Sequence, residues 1–314
     1  MKKAIVALGG NALLRGDQDG TIEEQEINSK NTLQSVINLI KAGYDVVITH
    51  GNGPQVGNIL MRNDAGEQLY NIAQMPLDIC VADSQGGIGY MLERVLRIVL
   101  RENNIKKEVV TLVTPVEVDI KDEAFQNPTK RVGKIYNKEE ADKLIADKAW
   151  DFKTSPKVDG GYRRVVPSPK PLKVLNSPVI EQLLEGGNIV IAVGGGGVPV
   201  YFDEKGDIRP AEAVIDKDRA SSVLASTINT DELFILTDVP YVYLNYKKEN
   251  EQKLEKITVA QAKQYMKDGM FGEGNMSPKI EACIDFVNNG GKKAIITEAS
   301  QLKDPDNSGT QIMP

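Results

Sequence analysis

Three times along this chain an apolar, largely β-branched run stops on glycine. Residues 3–8 (KAIVAL) run into Gly9, Gly10 and Asn11; residues 45–49 (DVVIT) run into His50, Gly51, Asn52 and Gly53; residues 188–193 (NIVIAV) run into Gly194, Gly195, Gly196 and Gly197. Backbone without side chains can turn sharply, take positive φ and aim N–H groups at an anion, which suits a phosphate or an oxyanion. Any one of these runs serves equally well as a simple turn. Their repetition at strand ends matters, because open α/β sheets bind ligands outside the carboxyl ends of their strands. Candidate cations are Lys130, Arg131, Lys134, Arg163 and Arg164, in a proline-punctuated stretch that predicts loops. Long cations on loops reach an anion, although exposed Lys and Arg are also ordinary surface charge.

The same residues bound the chemistry. There is one histidine, His50, and two cysteines, so no site built on two His ligands is available, and no GxSxG elbow supports a nucleophilic triad around His50. Glycine strand ends and loop cations without a carboxylate cluster point to phosphoryl transfer, which needs positioning and charge neutralisation more than covalent help. The chain has no GxxxxGK[ST], and neither GGN nor GNGPQVG fits the dinucleotide pattern GxGxxG, so neither nucleotide-loop motif applies.

Positioning three glycine edges takes an alternating α/β chain. In residues 31–42, Leu33, Val36, Ile37 and Ile40 have the spacing of an amphipathic helix, and Gly43 ends it. With its flanking strands this makes a βαβ unit, whose right-handed crossover turns the first two glycine edges towards one crevice. Residues 91–100 (MLERVLRIVL) predict a long apolar-striped helix, preceded by SQGGIGY, which permits close helix or subunit packing; residues 109–113 return as a strand. From about 117 to 170 the apolar period lapses, Pro128, Pro156, Pro167 and Pro169 appear, and the stretch reads as an inserted flap. After the third glycine edge come a hairpin turn at 204–207, a helix of small residues beyond Asp218, a strand at 233–237 ending on Asp238, and a helix at 257–268. A glycine-bearing loop at 272–279 then opens a helix at 280–287, and residues 293–297 form a last strand.

Composition sets the class. With 314 residues, 41% of them hydrophobic, the chain can bury a large core as one α/β domain or two lobes. The 38 basic and 44 acidic residues give a net charge of -6 and no basic tail, which argues against a nucleic-acid surface. No apolar run approaches the roughly 20 residues that span a bilayer, and the N-terminus enters a strand with no signal-peptide core, so the expected location is the cytoplasm, away from membranes. Cys80 and Cys283 lie among apolar neighbours, as buried thiols of a reducing compartment do.

Eight blocks in this order resemble the carbamate kinases of the amino acid kinase superfamily: LGGNAL at 8–13, THGNGPQVGN at 49–58, FQNPTK at 125–130, RRVVPSP at 163–169, GGGGVPV at 194–200, AVIDKD at 213–218, LTDV at 236–239 and MSPK at 276–279. The resemblance covers essentially the whole chain. It implies an α/β fold, a three-layer αβα sandwich with a mainly parallel central sheet and a protruding flap subdomain over the site. It implies one amino-acid-kinase-type domain over 1–314, with the flap at 117–170, a substrate-binding lobe at 1–210 that includes the flap, and a nucleotide-binding lobe at 211–314. The implied reaction is ATP and carbamate to ADP and carbamoyl phosphate, reversible, with Mg²⁺ on the nucleotide, in a homodimer. By the same resemblance Lys217 lies at the transferring phosphoryl group with Asp216 beside it, Lys279 is the second phosphate-binding lysine, and Lys130 is the flap lysine reaching the centre. Gly9, Gly10, Asn11, Gly51, Asn52, Gly53, Gly195 and Gly196 hold carbamate and the transferred group, while Asp238, Val239, Tyr243 and Met276 border the nucleotide. Two blocks depart from the family pattern. After NPTK this chain has Arg131 and Lys134-Ile135-Tyr136 in place of a proline and a PFY-like run, and before RRVVPSP it has Asp159-Gly160-Gly161-Tyr162 in place of GRGW. The alternatives are another kinase of the superfamily acting on a carboxylate, and a nucleotide-binding protein of the same fold without catalysis.

Overall fold

The computed structural model describes residues 2–155, 158–272 and 276–314; Pro156 of the flap and residues 273–275 of the glycine-bearing loop lie outside them, as does the side chain of Asn11. The first half runs β1 (Lys2–Leu8), α1 (Ile22–Lys41), β2 (Tyr44–His50), α2 (Gly53–Tyr70), α3 (Leu77–Glu102), β3 (Val109–Thr111) and β4 (Pro115–Val118). The flap contributes β5 (Lys130–Tyr136), α4 (Lys138–Lys148), β6 (Asp151–Thr154) and β7 (Tyr162–Val166). There follow β8 (Pro171–Val174), α5 (Ser177–Glu185), β9 (Ile189–Ile191), β10 (Val198–Phe202), β11 (Ile208–Pro210), α6 (Lys217–Thr227) and β12 (Glu232–Leu236). The chain closes with β13 (Val242–Leu244), β14 (Gln252–Leu254), β15 (Lys256–Thr258), α7 (Val259–Lys267), α8 (Ser277–Asn288), β16 (Lys293–Thr297) and β17 (Thr310–Met313).

One eight-stranded sheet, in the order β15-β17-β16-β12-β1-β2-β9-β3, carries the molecule. Every neighbouring pair in it is parallel except β16 with β17. A parallel sheet needs both faces covered, and β1 shows how the sequence provides for this. Ala4, Val6 and Leu8 point into a core shared with α1 and α3, while Ile5 and Ala7 point into another shared with α5, α6 and α8. That is the three-layer αβα sandwich. Among the described residues no helix is long and apolar enough to cross a membrane.

Two expectations change. Helix α1 begins at Ile22, nine residues before the expected start at 31, because Thr21 accepts from the Glu24 amide and the Glu24 carboxylate accepts from the Thr21 amide, a capping box that supports polar first turns. The cations placed on flap loops lie on strands: Lys130, Arg131 and Lys134 on β5, Arg163 and Arg164 on β7. These strands form a separate sheet, β5-β7-β6, with α4 beside it. Its root is apolar, since Val132 and Val166 pack with Val56, Val81 and Val214 of the body.

Candidate active site

The third glycine edge is a tight turn under restraint. Strand β9 ends at Ile191, two residues short of the predicted end, and Val193 takes φ 54° and ψ 35°, a left-handed conformation that costs a β-branched residue about 1–3 kcal/mol. Hydrogen bonds hold it there. The Val193 amide donates to Thr114 Oγ1 at 3.0 Å, and the Gly194 carbonyl accepts from Gln85 Nε2 at 2.9 Å. Glycine is required by close approach as well as by φ, for a Cβ on Gly195 would sit 2.1 Å from Asn52 Nδ2 and one on Gly196 would sit 2.5 Å from the Ile215 carbonyl oxygen. The turn therefore touches the second glycine edge on one side and the AVIDKD block on the other.

The second edge leaves β2 at His50 and opens α2 at Gly53. Asn52, only 4% exposed, donates to Ser84 Oγ at 2.8 Å, and Ser84 donates in turn to the Val81 carbonyl. His50 is enclosed, with Nδ1 2.9 Å from the Gly51 carbonyl oxygen. Burial, with a further contribution from the Lys217 charge, lowers its pKa to about 4, so the ring is neutral and donates to Gly51. At the first edge Gly10 faces the site, while Gly9 passes beneath β12, where an added Cβ would lie 2.6 Å from the Leu236 carbonyl oxygen.

The cations gather at the start of α6. Asp216 caps that helix, accepting from the amides of Asp218 and Arg219, and so fixes Lys217 at the first helical position. Lys217 Nζ pairs with one oxygen of the Asp218 carboxylate and Lys279 Nζ lies 2.8 Å from the other. All three side chains are nearly enclosed, Asp218 at 4% exposure. Burial pushes the Asp218 carboxyl up, but the two ammonium groups outweigh it and hold it down at about 2. For Lys217 burial prevails and lowers the pKa, with repulsion from Lys279 adding to it against the pull of Asp218; for Lys279 burial opposes Asp218, the carboxylate prevails, and the pKa is raised. Asp218 was not among the residues singled out from the sequence. Its signal was available, since two lysines buried at one anion site need a carboxylate between them.

Lys130, at the start of β5, brings its Nζ to 3.6 Å from Asp216 Oδ2. Gly10, Gly51, Asn52, Gly53, Lys130, Asp216, Lys217, Lys279 and Gly195 thus face one cavity of about 390 Å³, with Arg131 and Asp218 also on its wall. Four cations against two carboxylates leave that wall positive. Gly196 lies beneath it, against Ile215. Arg163 and Arg164 do not face it. Arg164 is buried, stacked 3.8 Å over the Trp150 ring and ion-paired with Glu212, and Arg163 donates to the Gly133 carbonyl at 3.0 Å. A second cavity of about 320 Å³ is lined by Asp238, Val239, Tyr243 and Met276, together with Tyr241, Tyr246 and Phe271. The start of α8 serves both cavities, since Met276 lines one and Lys279 the other.

Comparison with known proteins decides what this arrangement belongs to. Residues 2–298 match the family model described as the amino acid kinase family. Carbamate kinase of Pyrococcus horikoshii is 47% identical over 100% of this chain and 99% of its own length, and that of Thermococcus kodakarensis 46% identical over the same shares. The solved carbamate kinase of Giardia lamblia, bound to AMP-PNP, superposes with a TM-score of 0.94 at 42% identity, covering 99% of this chain and 98% of that one. The chain belongs to the carbamate kinases. It is an ATP-dependent phosphotransferase that interconverts ATP and carbamate with ADP and carbamoyl phosphate, on the amino acid kinase fold.

Proposed function

We propose that the phosphoryl group moves within the cavity beneath the flap, and the observation that carries this is the Asp218 carboxylate held between Lys217 and Lys279 where the glycine edges converge. In the direction of ATP use, a carbamate oxygen attacks the γ-phosphorus as the bond to the β-bridging oxygen breaks. Carbamate is already ionised, so no protein base has to take a proton. Lys217 neutralises charge on the equatorial oxygens, Lys279 binds the chain of phosphates, and Lys130 closes from the flap. Backbone at Gly10, Gly51–53 and Gly195, with Asn52, cradles carbamate; Gly9, Asn11 and Gly196 shape that cradle. The tyrosine-lined cavity takes the nucleotide base, as Asp238, Val239, Tyr243 and Met276 border it, an assignment in keeping with the AMP-PNP-bound Giardia enzyme. On this reading residues 1–210, with the flap at 117–170, bind the substrate and residues 211–314 the nucleotide.

Mg²⁺ enters with the nucleotide. Among the described residues no cluster of three or more His, Cys, Asp and Glu could cage a metal, which fits an ion held mostly by phosphate oxygens and water with help from one carboxylate. Asp216 suits that part, being on the cavity wall and 21% exposed, whereas Asp218 is committed to two lysines. Beside Asp216, Mg²⁺ would supply positive charge to offset that of the phosphates. Cys80 and Cys283, buried and unbridged, are in keeping with a reducing cytoplasm.

Lys279→Ala tests the assignment in the reverse direction, with ADP, Mg²⁺ and carbamoyl phosphate and an ATP readout. The expected result is a raised KM for ADP together with a lower kcat. Wild-type values of both would remove Lys279 from the site.

A further inference from the structure

We infer that Gln85 and Thr114, which line none of these cavities, are positioning residues for the third glycine edge. The inference rests on the reading above, in which Gly195 borders the reacting group. Thr114 brackets the turn. Its Oγ1 accepts from the Val193 amide at 3.0 Å on the entering side, and its carbonyl oxygen accepts from the Val198 amide at 2.9 Å on the leaving side. Gln85, on α3, spans the gap between the two: its Oε1 accepts from the Thr114 amide at 2.8 Å and its Nε2 donates to the Gly194 carbonyl at 2.9 Å. Both residues are buried, Gln85 1% exposed and Thr114 not at all.

A buried carboxamide demands partners, and these partners are the atoms that set the turn. Val193 stands in the left-handed region at φ 54°, which a β-branched residue leaves when free to do so. Such strain persists only where the surroundings over-determine it, and it gathers at sites where geometry is the function. If Val193 relaxed, Gly195 would swing away from Asn52, against which it now packs, and the cradle would lose its shape before substrate arrived. The adjacent α3 residue, Ser84, holds Asn52 itself. One turn of α3 thus sets both glycine edges.

Isosteric variants separate positioning from plain structural support. Thr114→Val keeps the shape and removes the acceptor for Val193; Thr114→Ser keeps the hydroxyl and removes a methyl; Gln85→Glu keeps the acceptor for Thr114 and cannot donate to Gly194 when ionised. We expect Thr114→Val and Gln85→Glu to lower kcat/KM for carbamoyl phosphate at least tenfold while KM for ADP stays within twofold, and Thr114→Ser to remain within about twofold of wild type. Melting temperature and ADP binding report folding for each protein. Folded Thr114→Val with kcat/KM within twofold of wild type, or equal losses in the Ser and Val variants, would overturn the inference. Should Thr114→Val fail to fold, Gln85→Glu decides by the same criteria. An inactive wild-type enzyme would instead overturn the functional reading on which the inference rests.

Discussion

At the scale of the residue, the site is organised by charges that cannot stand alone. Lys217 and Lys279 are nearly buried, and each is tolerable only because Asp218 lies between them. On the function proposed above, an incoming phosphate neutralises the surplus positive charge on the wall. His50 plays the opposite part, staying neutral beside Lys217 so that the ring adds no charge and anchors the Gly51 carbonyl. It is the only histidine in the chain, which makes its effect on stability legible. The folded ring titrates at about 4 and the unfolded ring near 6.5, so between those values the unfolded chain binds the extra proton and stability falls as pH drops. Above about pH 6.5 this contribution is fully present. Urea unfolding should show a loss of about 2 kcal/mol between pH 7.5 and 5, and His50→Asn should flatten that slope. The same slope in the variant would assign the pH dependence elsewhere.

At the scale of the element, the glycine turns and the flap have different tolerances. Gly195→Ala sets a Cβ against Asn52 in a backbone conformation that disfavours it, whereas an added Cβ at Gly53 meets nothing within 4 Å. Gly195→Ala should therefore cost at least tenfold in kcat/KM, and Gly53→Ala should leave the melting temperature unchanged; equal stability and activity in both proteins would mean that the third edge is an ordinary turn. The flap strand β5 delivers Lys130 to Asp216 from a root packed on Val132 and Val166. Lys130 is half-exposed, so Lys130→Ala should leave the melting temperature almost unchanged while kcat/KM for carbamoyl phosphate falls at least tenfold, about 1.4 kcal/mol of transition-state binding. A value within twofold of wild type would make it surface charge. These elements were unevenly legible in the sequence. The strands 3–8, 45–49 and 293–297 were clear because both faces are buried and their central residues are uniformly apolar. The flap strands were hidden because their outward faces carry Arg and Lys, and the inward apolar positions are too few to show a period. Arg164 illustrates the cost: its type suggested an anion, yet Trp150 and Glu212 enclose it, contacts that only the tertiary fold creates.

At the scale of the molecule, β1, β2 and β9 of the main sheet lead to residues 9–11, 50–53 and 194–197, and the start of α6 brings residues 216–218 to the same edge, so that four distant stretches share one cavity. The blocks that line that edge were readable from types and order alone, but Gln85 and Thr114 were not, since their hold on the turn is defined by partners more than 25 residues away in sequence. A homodimer is a proposal at this scale. Leu69, Tyr70, Ile72, Met75, Ile79 and Tyr90 expose 42–74% of their surface along α2, its exit and α3. Exposed large apolar residues concentrated on one region mark an association surface. Sedimentation should give twice the chain mass, with Tyr70→Asp or Ile72→Asp shifting it to the monomer; a monomeric wild type would rule the proposal out. The central claim, that the phosphoryl group is transferred at the lysine pair, is tested most directly by the kcat of Lys217→Ala for ATP formation from ADP, Mg²⁺ and carbamoyl phosphate. Loss of a charged donor to the transition state predicts a fall of roughly a hundred- to a thousandfold, about 2.7–4 kcal/mol, in a protein that remains folded. A folded Lys217→Ala enzyme retaining more than half of the wild-type kcat would contradict it.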